Sequence, residues 1–289
     1  MPLPTADTIV EYPSGATSSP AVVLHAEQVD GALAVLLDRT AFHPVDAHWP
    51  DQPADRGRLI LADGTGVDIV GAQVGATDGE RLHIGGHVPV RTGTPGWAFV
   101  VVHLVAPDAP VRAGDAVTVE VDAGHREALS AGHTACHLAS LALDRALADS
   151  WTKTAPTDSL GAPAFDQLAI VRSEILEHGA RDTYRIGKSL RKKGFPPAAF
   201  DDVAAVADVV NTQLAAWVAT DAAVRVESPE PGLGARRAWV CALPDGEARI
   251  PCGGTHVDRL GALGRVAVAF EVTDADGART VVMTTTAVA

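Results

Sequence analysis

Along the first hundred or so residues, apolar positions fall in short runs at 21–24, 33–38, 58–62, 67–70, 81–84 and 97–105, with Gly, Asp and Pro between them. Runs of this length bounded by turn residues predict strands, and their even spacing without intervening helical periodicity predicts a small barrel or strongly bent sheet. Asp63-Gly64-Thr65-Gly66 carries the residue types of a hairpin turn. Pro107-Asp108-Ala109-Pro110 forms a short stiff connector and sets a boundary near 110. Residues 1–110 thus read as an N-terminal β-barrel-like domain, and 111–289 as an α+β domain.

Past that boundary the period changes. A strand at 116–121 leads into an Ala- and Leu-rich helix over about 126–150, in which Leu129, His133, His137 and Leu141 share one i,i+4 ridge. Residues 152–163, rich in Pro, Thr, Asp and Gly, read as a loop. A second helix over 201–220 places Val203, Val206, Val210, Leu214 and Trp217 at helical spacing, a stripe that core packing explains. A strand at 248–250 and a hairpin of 265–272 with 280–284, turning through Asp274-Ala275-Asp276-Gly277, close the chain. The fold class is α+β.

With 289 residues and 29.9 kDa, the chain is long enough to bury a core without metal or disulfides. Three scattered cysteines, no N-terminal charged-then-apolar signal and no apolar run of membrane-spanning length predict a reducing, cytoplasmic setting with no membrane partner. No obligate protein partner is implied. A net charge of −13 argues against non-specific coating of nucleic acid. The exception is 181–193, where Arg181, Arg185, Lys188, Arg191, Lys192 and Lys193 stand against Asp182 alone. That stretch reads either as a phosphate-facing, tRNA-binding patch or as a solvated face.

Two separated motifs carry chemistry. In His133-Thr134-Ala135-Cys136-His137 two imidazoles project from one helix face. In Pro251-Cys252-Gly253-Gly254-Thr255-His256-Val257 a thiol and an imidazole stand four positions apart across a Gly-Gly bend. Each alone has a plain structural explanation, a pair of surface or core imidazoles and a tight turn beside a buried thiol. Together they supply three His and one Cys, a donor set suited to tetrahedral Zn2+ held between a helix and a strand-edge loop. Thr134 follows His133 where a zincin requires Glu, and the cysteines lack the C-x-x-C knuckles of zinc fingers. Cys136 rotates off the ligand ridge and reads as a small buried residue.

These two motifs, with the segments around them, resemble the editing domain of alanyl-tRNA synthetases and the free-standing alanyl-tRNA editing proteins. The resemblance extends through 114–121, the helix holding Asn211 and the final hairpin. It continues more weakly in Leu37-Asp38-Arg39-Thr40-Ala41-Phe42-His43-Pro44 and Gln52-Pro53-Ala54-Asp55-Arg56-Gly57. Between these, Val45-Asp46-Ala47-His48-Trp49-Pro50-Asp51 is longer and bulkier than the glycine run of that family, which lies beside its amino-acid pocket.

The resemblance implies a trans-acting, zinc-dependent deacylase that hydrolyses the ester of tRNA(Ala) mischarged with Ser or Gly. His133, His137, Cys252 and His256 would be the metal ligands, and a metal-bound water the only catalytic group that can be named. Bound zinc lowers a water pKa to about 7 or polarises a carbonyl directly, and whether three or four protein ligands bind stays open. Asp46, His48 and Gln52 offer groups that read a small polar side chain, or serve as turn residues. Thr134 and Thr255 orient water or the substrate amine, or cap local backbone. Two other readings stand beside this one: a zinc hydrolase of a small ester or amide on the same scaffold, and a non-catalytic module stabilised by its metal.

Overall fold

The computed structural model describes residues 2–275 and 277–288. The chain is α+β, with one large sheet, smaller sheets and few helices. It divides into two compact units. One extends to Glu127 and adds Val226–Ala238 and Cys252–Thr255; the other holds Ala128–Arg225, Trp239–Pro251 and the segment from His256 onward.

The first unit is built on β1 (Ile9–Val10), β2 (Ser18–Val29), β3 (Ala32–Leu37), β4 (Arg39–Thr40), β5 (Gly57–Leu61), β6 (Gly66–Thr77), β7 (Leu82–Ile84), β8 (Ala98–Val105) and β9 (Ala116–Val121). Seven of these form an antiparallel sheet in the order β5-β9-β2-β3-β8-β6-β7, and β5 also pairs with β6. The pairings among six strands therefore close a cycle, which leaves fewer bare edges than an open sheet. In β2, Ser19, Ala21, Val23 and His25 alternate inward, the period-2 pattern of a strand with one buried face. Register shifts at Val23/His25 and Ile69/Gly71 mark irregularities where the long strands β2 and β6 can bend. Val23, Val35, Leu37, Phe42, Leu59, Val101 and Val119 belong to the resulting core.

The second unit is organised around α1 (Ala123–Ala146), whose first five residues count with the first unit. After α2 (Phe165–Ala169) come β10 (Ile170–Leu176) and β11 (Gly179–Ile186), then α3 (Lys188–Lys192) and α4 (Val203–Val218). Strands β12 (Val224–Glu227), β13 (Ala238–Leu243) and β14 (Gly246–Pro251) make a small sheet, while β15 (Arg265–Ala275) and β16 (Ala278–Val288) complete the order β10-β11-β16-β15. Helix α4 starts where Asp202 accepts the Ala205 N–H, an N-cap. It is fixed to β15 by Asn211, whose amide exchanges two hydrogen bonds with the Val268 backbone.

The β10–β11 hairpin falls in a segment where hydrophobic patterning predicts no strand, because charged residues interrupt its apolar runs. Inward Ala180, Asp182, Tyr184 and Ile186 alternate with Arg181, Thr183 and Arg185, and a buried Asp in the inward set hides the period. Of the turn expected at 274–277, Asp276 lies outside the described residues; β15 and β16 pair in register up to Ala275 opposite Ala278. Among the described residues no helix is long and apolar enough to cross a membrane.

Candidate metal centre

Helix α1 brings the first two imidazoles to their places. Ala128, Leu129, Ala131, Ala135, Leu138, Ala139, Leu141, Ala142 and Leu143 are all buried, so most of the circumference of this helix is covered, as expected for a core helix. Leu129 and Cys136 pack with Ile175 of β10 and Ala180 of β11. Gly132, one residue before His133, permits this approach: a Cβ there would lie 2.2 Å from the Leu176 carbonyl oxygen and 2.4 Å from that of Gly179. Cys136 is turned away from the histidines, its Sγ 3.4 Å from Oδ2 of buried Asp182.

The His133 and His137 ring centroids lie 4.7 Å apart, and His256 stands 4.4 Å from His133 and 5.0 Å from His137. Cys252 lies four positions before His256 in the same short coil after β14. The four candidate ligand atoms, one each from His133, His137, Cys252 and His256, all fall within 4.8 Å of one another. Zinc bonded at about 2.0–2.3 Å to N and S sets ligand atoms roughly 3.5 Å apart, so a small contraction makes the four atoms fit one ion.

Burial holds the His137 and Cys252 side chains in their neutral forms. Burial lowers the His137 imidazole to about 3 and thus keeps it neutral with a lone pair to donate. Its Nε2 is buried and has no hydrogen-bond partner among the described residues, a cost that coordination would remove. Burial also pushes the Cys252 thiol up to about 12. A thiolate at that position therefore calls for a positive charge beside it. The Gly254 N–H points at Cys252 Sγ across 3.4 Å and favours the ionised form.

The other polar candidates from the sequence make contacts of their own. Thr134 is fully buried; its Oγ1 donates to the Ser130 carbonyl at 2.9 Å, accepts from the Val257 N–H at 3.2 Å and meets His256 Nδ1 at 3.2 Å. Gln52 and Thr255, both 2% exposed, form a reciprocal clamp. The Gln52 amide donates to Thr255 Oγ1 at 2.9 Å and accepts the Thr255 N–H at 3.1 Å. Asp46 accepts the His48 N–H at 2.9 Å in a local turn, and His48 is exposed. Trp239, which no sequence motif singles out, is fully buried with its ring 5.2 Å from that of His137; an apolar residue within a strand carries no mark of such a neighbour.

Of the basic run, Arg185 on β11 and Lys188, Arg191, Lys192 and Lys193 on and after α3 are all exposed, as is Arg181. The one acid among them, Asp182, is buried, so every exposed charged side chain of this run is basic.

No family model matches the chain. The curated proteins it resembles include the alanine–tRNA ligases of Frankia casuarinae, 29% identical over 89% of this chain, and of Bifidobacterium longum, 27% identical over 86%. That of Halorubrum lacusprofundi is 33% identical over 47% of the chain. The chain spans 25%, 23% and 12% of the lengths of these three relatives. Over most of its length, then, this chain is similar to one part of alanine–tRNA ligases.

Proposed function

We propose that this chain is an aminoacyl-tRNA editing module, a zinc-dependent deacylase that hydrolyses the ester of tRNA(Ala) mischarged with Ser or Gly, and that it does so in trans. The observation that carries this reading is the gathering of three imidazoles and one thiol in a chain similar to alanine–tRNA ligase over most of its length. Ester hydrolysis needs a nucleophilic water and compensation for charge on the carbonyl oxygen, and bound zinc supplies Lewis acidity toward both. In this reading, His133, His137 and His256 hold the ion as neutral donors, and Cys252 gives it a thiolate supported by the Gly254 N–H. The Gln52 amide holds the Cys252–Thr255 run through Thr255.

Zinc-loaded protein incubated with Ser-tRNA(Ala) and Gly-tRNA(Ala) is expected to release the amino acid, and Cys252→Ala to abolish release. Mischarged tRNA that stays intact with metal-replete protein would overturn the reading. The exposed cations Arg185, Lys188, Arg191, Lys192 and Lys193 are assigned to the tRNA phosphates. Reversing Lys188, Arg191 and Lys192 to Glu should weaken tRNA binding and lower its salt slope by about one for each phosphate that is no longer neutralised. An unchanged slope would remove the patch from the tRNA footprint.

A second reading, a zinc hydrolase of small esters or amides, is favoured by the 45–51 loop, which exposes Trp49 at 56% where the resembling family has glycines. Turnover of a small ester without tRNA binding at low salt would select it.

A further inference from the structure

We infer that Thr134 is a positioning residue that fixes the tautomer of His256, placing the ring proton on Nδ1 and the ring's single lone pair on Nε2. This rests on the reading of the histidine–cysteine cluster as a metal centre, and adds to it a residue that binds no metal itself.

The inference follows from counting protons around one oxygen. A threonine hydroxyl has one proton to give and two lone pairs to receive with. Thr134 Oγ1 has three neighbours at hydrogen-bond distance: the Ser130 carbonyl at 2.9 Å, the Val257 N–H at 3.2 Å and His256 Nδ1 at 3.2 Å. A carbonyl only accepts, so it takes the hydroxyl proton. A backbone amide only donates, so it occupies one lone pair. The remaining lone pair faces Nδ1, and this contact is a hydrogen bond only when Nδ1 carries hydrogen. With the proton on Nε2 instead, two lone pairs would oppose each other, or the Ser130 carbonyl would lose its hydroxyl donor. Thr134 is 0% exposed, and an unmade bond in such a place costs about 1–3 kcal/mol. One assignment satisfies all three neighbours.

The geometry that makes this possible belongs to α1. Ser130 lies one turn before Thr134, and the bond from a threonine hydroxyl to the i−4 carbonyl holds its rotamer. The oxygen so fixed reaches His256 through its ring and Val257 through its backbone. Two consecutive residues of the C-terminal ligand segment are thereby tied to the residue that follows His133. A ligating histidine that donates its other N–H to a protein acceptor is held in orientation and tautomer, and loss of such a partner typically weakens metal binding 10–100-fold.

The test uses the full 289-residue chain and zinc. Competition against a chromophoric chelator should give Thr134→Val an affinity about 10–100-fold weaker than wild type, with Thr134→Ser within a few-fold because it keeps the hydroxyl. Nitrogen-15 spectra of the wild-type histidines, with and without zinc, should show His256 protonated at Nδ1; this holds the inference to account even if the valine variant folds poorly. Zinc uptake with Nδ1 of His256 unprotonated overturns the inference alone, as does wild-type affinity in a folded valine variant. Wild-type protein that takes up no stoichiometric zinc overturns the metal reading beneath it.

Discussion

Arg126 carries a charge into the interior of the first unit, where carboxylate and carbonyl oxygens receive it. Its guanidinium forms a two-pronged pair with Asp55, donates to the Ala41 carbonyl at 2.7 Å and to the Ala16 carbonyl at 3.1 Å. Asp55 also accepts the His43 N–H at 2.5 Å. Such a pair adds little net stability over apolar packing, whereas removing one partner strands the other charge. Arg126→Met is therefore expected to cost about 3–5 kcal/mol in urea denaturation, and Asp55→Asn combined with it should recover part of that loss. A cost below about 1 kcal/mol would show that water reaches Asp55. Neither partner was legible as such: Asp55 sits in a turn-like run, Arg126 at a helix start, and 71 residues separate them. The same limit applies around the candidate ligands. The spacing of His133 and His137 follows from the helical turn, but the three-way engagement of Thr134 depends on where Val257 arrives 123 residues later.

Among elements, the contact between α1 and the β10–β11 turn sets where the helix sits. Gly132 meets two backbone carbonyls and the Gly179 nitrogen, none of which can rotate aside. A methyl group at this position must push the helix off the hairpin, and it does so next to His133. Gly132→Ala, normally favourable in a helix by close to 1 kcal/mol, is expected instead to destabilise by about 1–3 kcal/mol and to weaken zinc binding. A melting temperature equal to or above that of the wild type would show that the hairpin yields. Periodicity located several elements well. The strand expected at 116–121 is β9 end to end, and the helix expected at 201–220 contains α4. In both, one face is apolar and the period is unbroken. The β10–β11 hairpin escaped because exposed Arg172, Arg181 and Arg185 and buried Asp182 mix charge into both faces. The membership of Val226–Ala238 and Cys252–Thr255 in the first unit is a tertiary fact that no local pattern encodes.

Across the whole molecule, buried titratable groups pull the stability in opposite directions on either side of neutrality. Burial lowers His43 and His103 to about 4. His103 is held neutral between the Val35 carbonyl at Nδ1 and the Thr40 hydroxyl at Nε2, while His43 packs edge-on against Tyr12. Both imidazoles bind protons near pH 6.5 once the chain unfolds. Metal-free His137, lowered to about 3, behaves likewise. Between about pH 6.5 and 4 the three imidazoles thus give the unfolded chain up to three more protons than the fold, of which buried Asp144 offsets one, and stability declines with acidification by at most about 2.7 kcal/mol per pH unit. Asp144 acts in the reverse sense. Burial raises it to about 9, so from about pH 4 to 9 the fold keeps a proton that the unfolded chain has released, and stability declines as pH rises through that window. Where the histidines have stopped contributing, above about pH 6.5, the Asp144 slope is left exposed. The melting temperature of the metal-free protein is therefore expected to peak near pH 6.5, roughly the pKa of a free imidazole, with a steep acid limb and a shallower alkaline one. His43→Phe, which keeps a ring against Tyr12 and the backbone N–H to Asp55, should flatten the acid limb. Asp144→Asn, which still offers an oxygen to the Asp166 N–H, should flatten the alkaline limb and leave the acid limb steep. Melting curves from about pH 4.5 to 8 on the three proteins, below the range in which unfolded thiols ionise, separate the two effects, and variants whose limbs keep the wild-type slopes would assign the pH dependence to other groups.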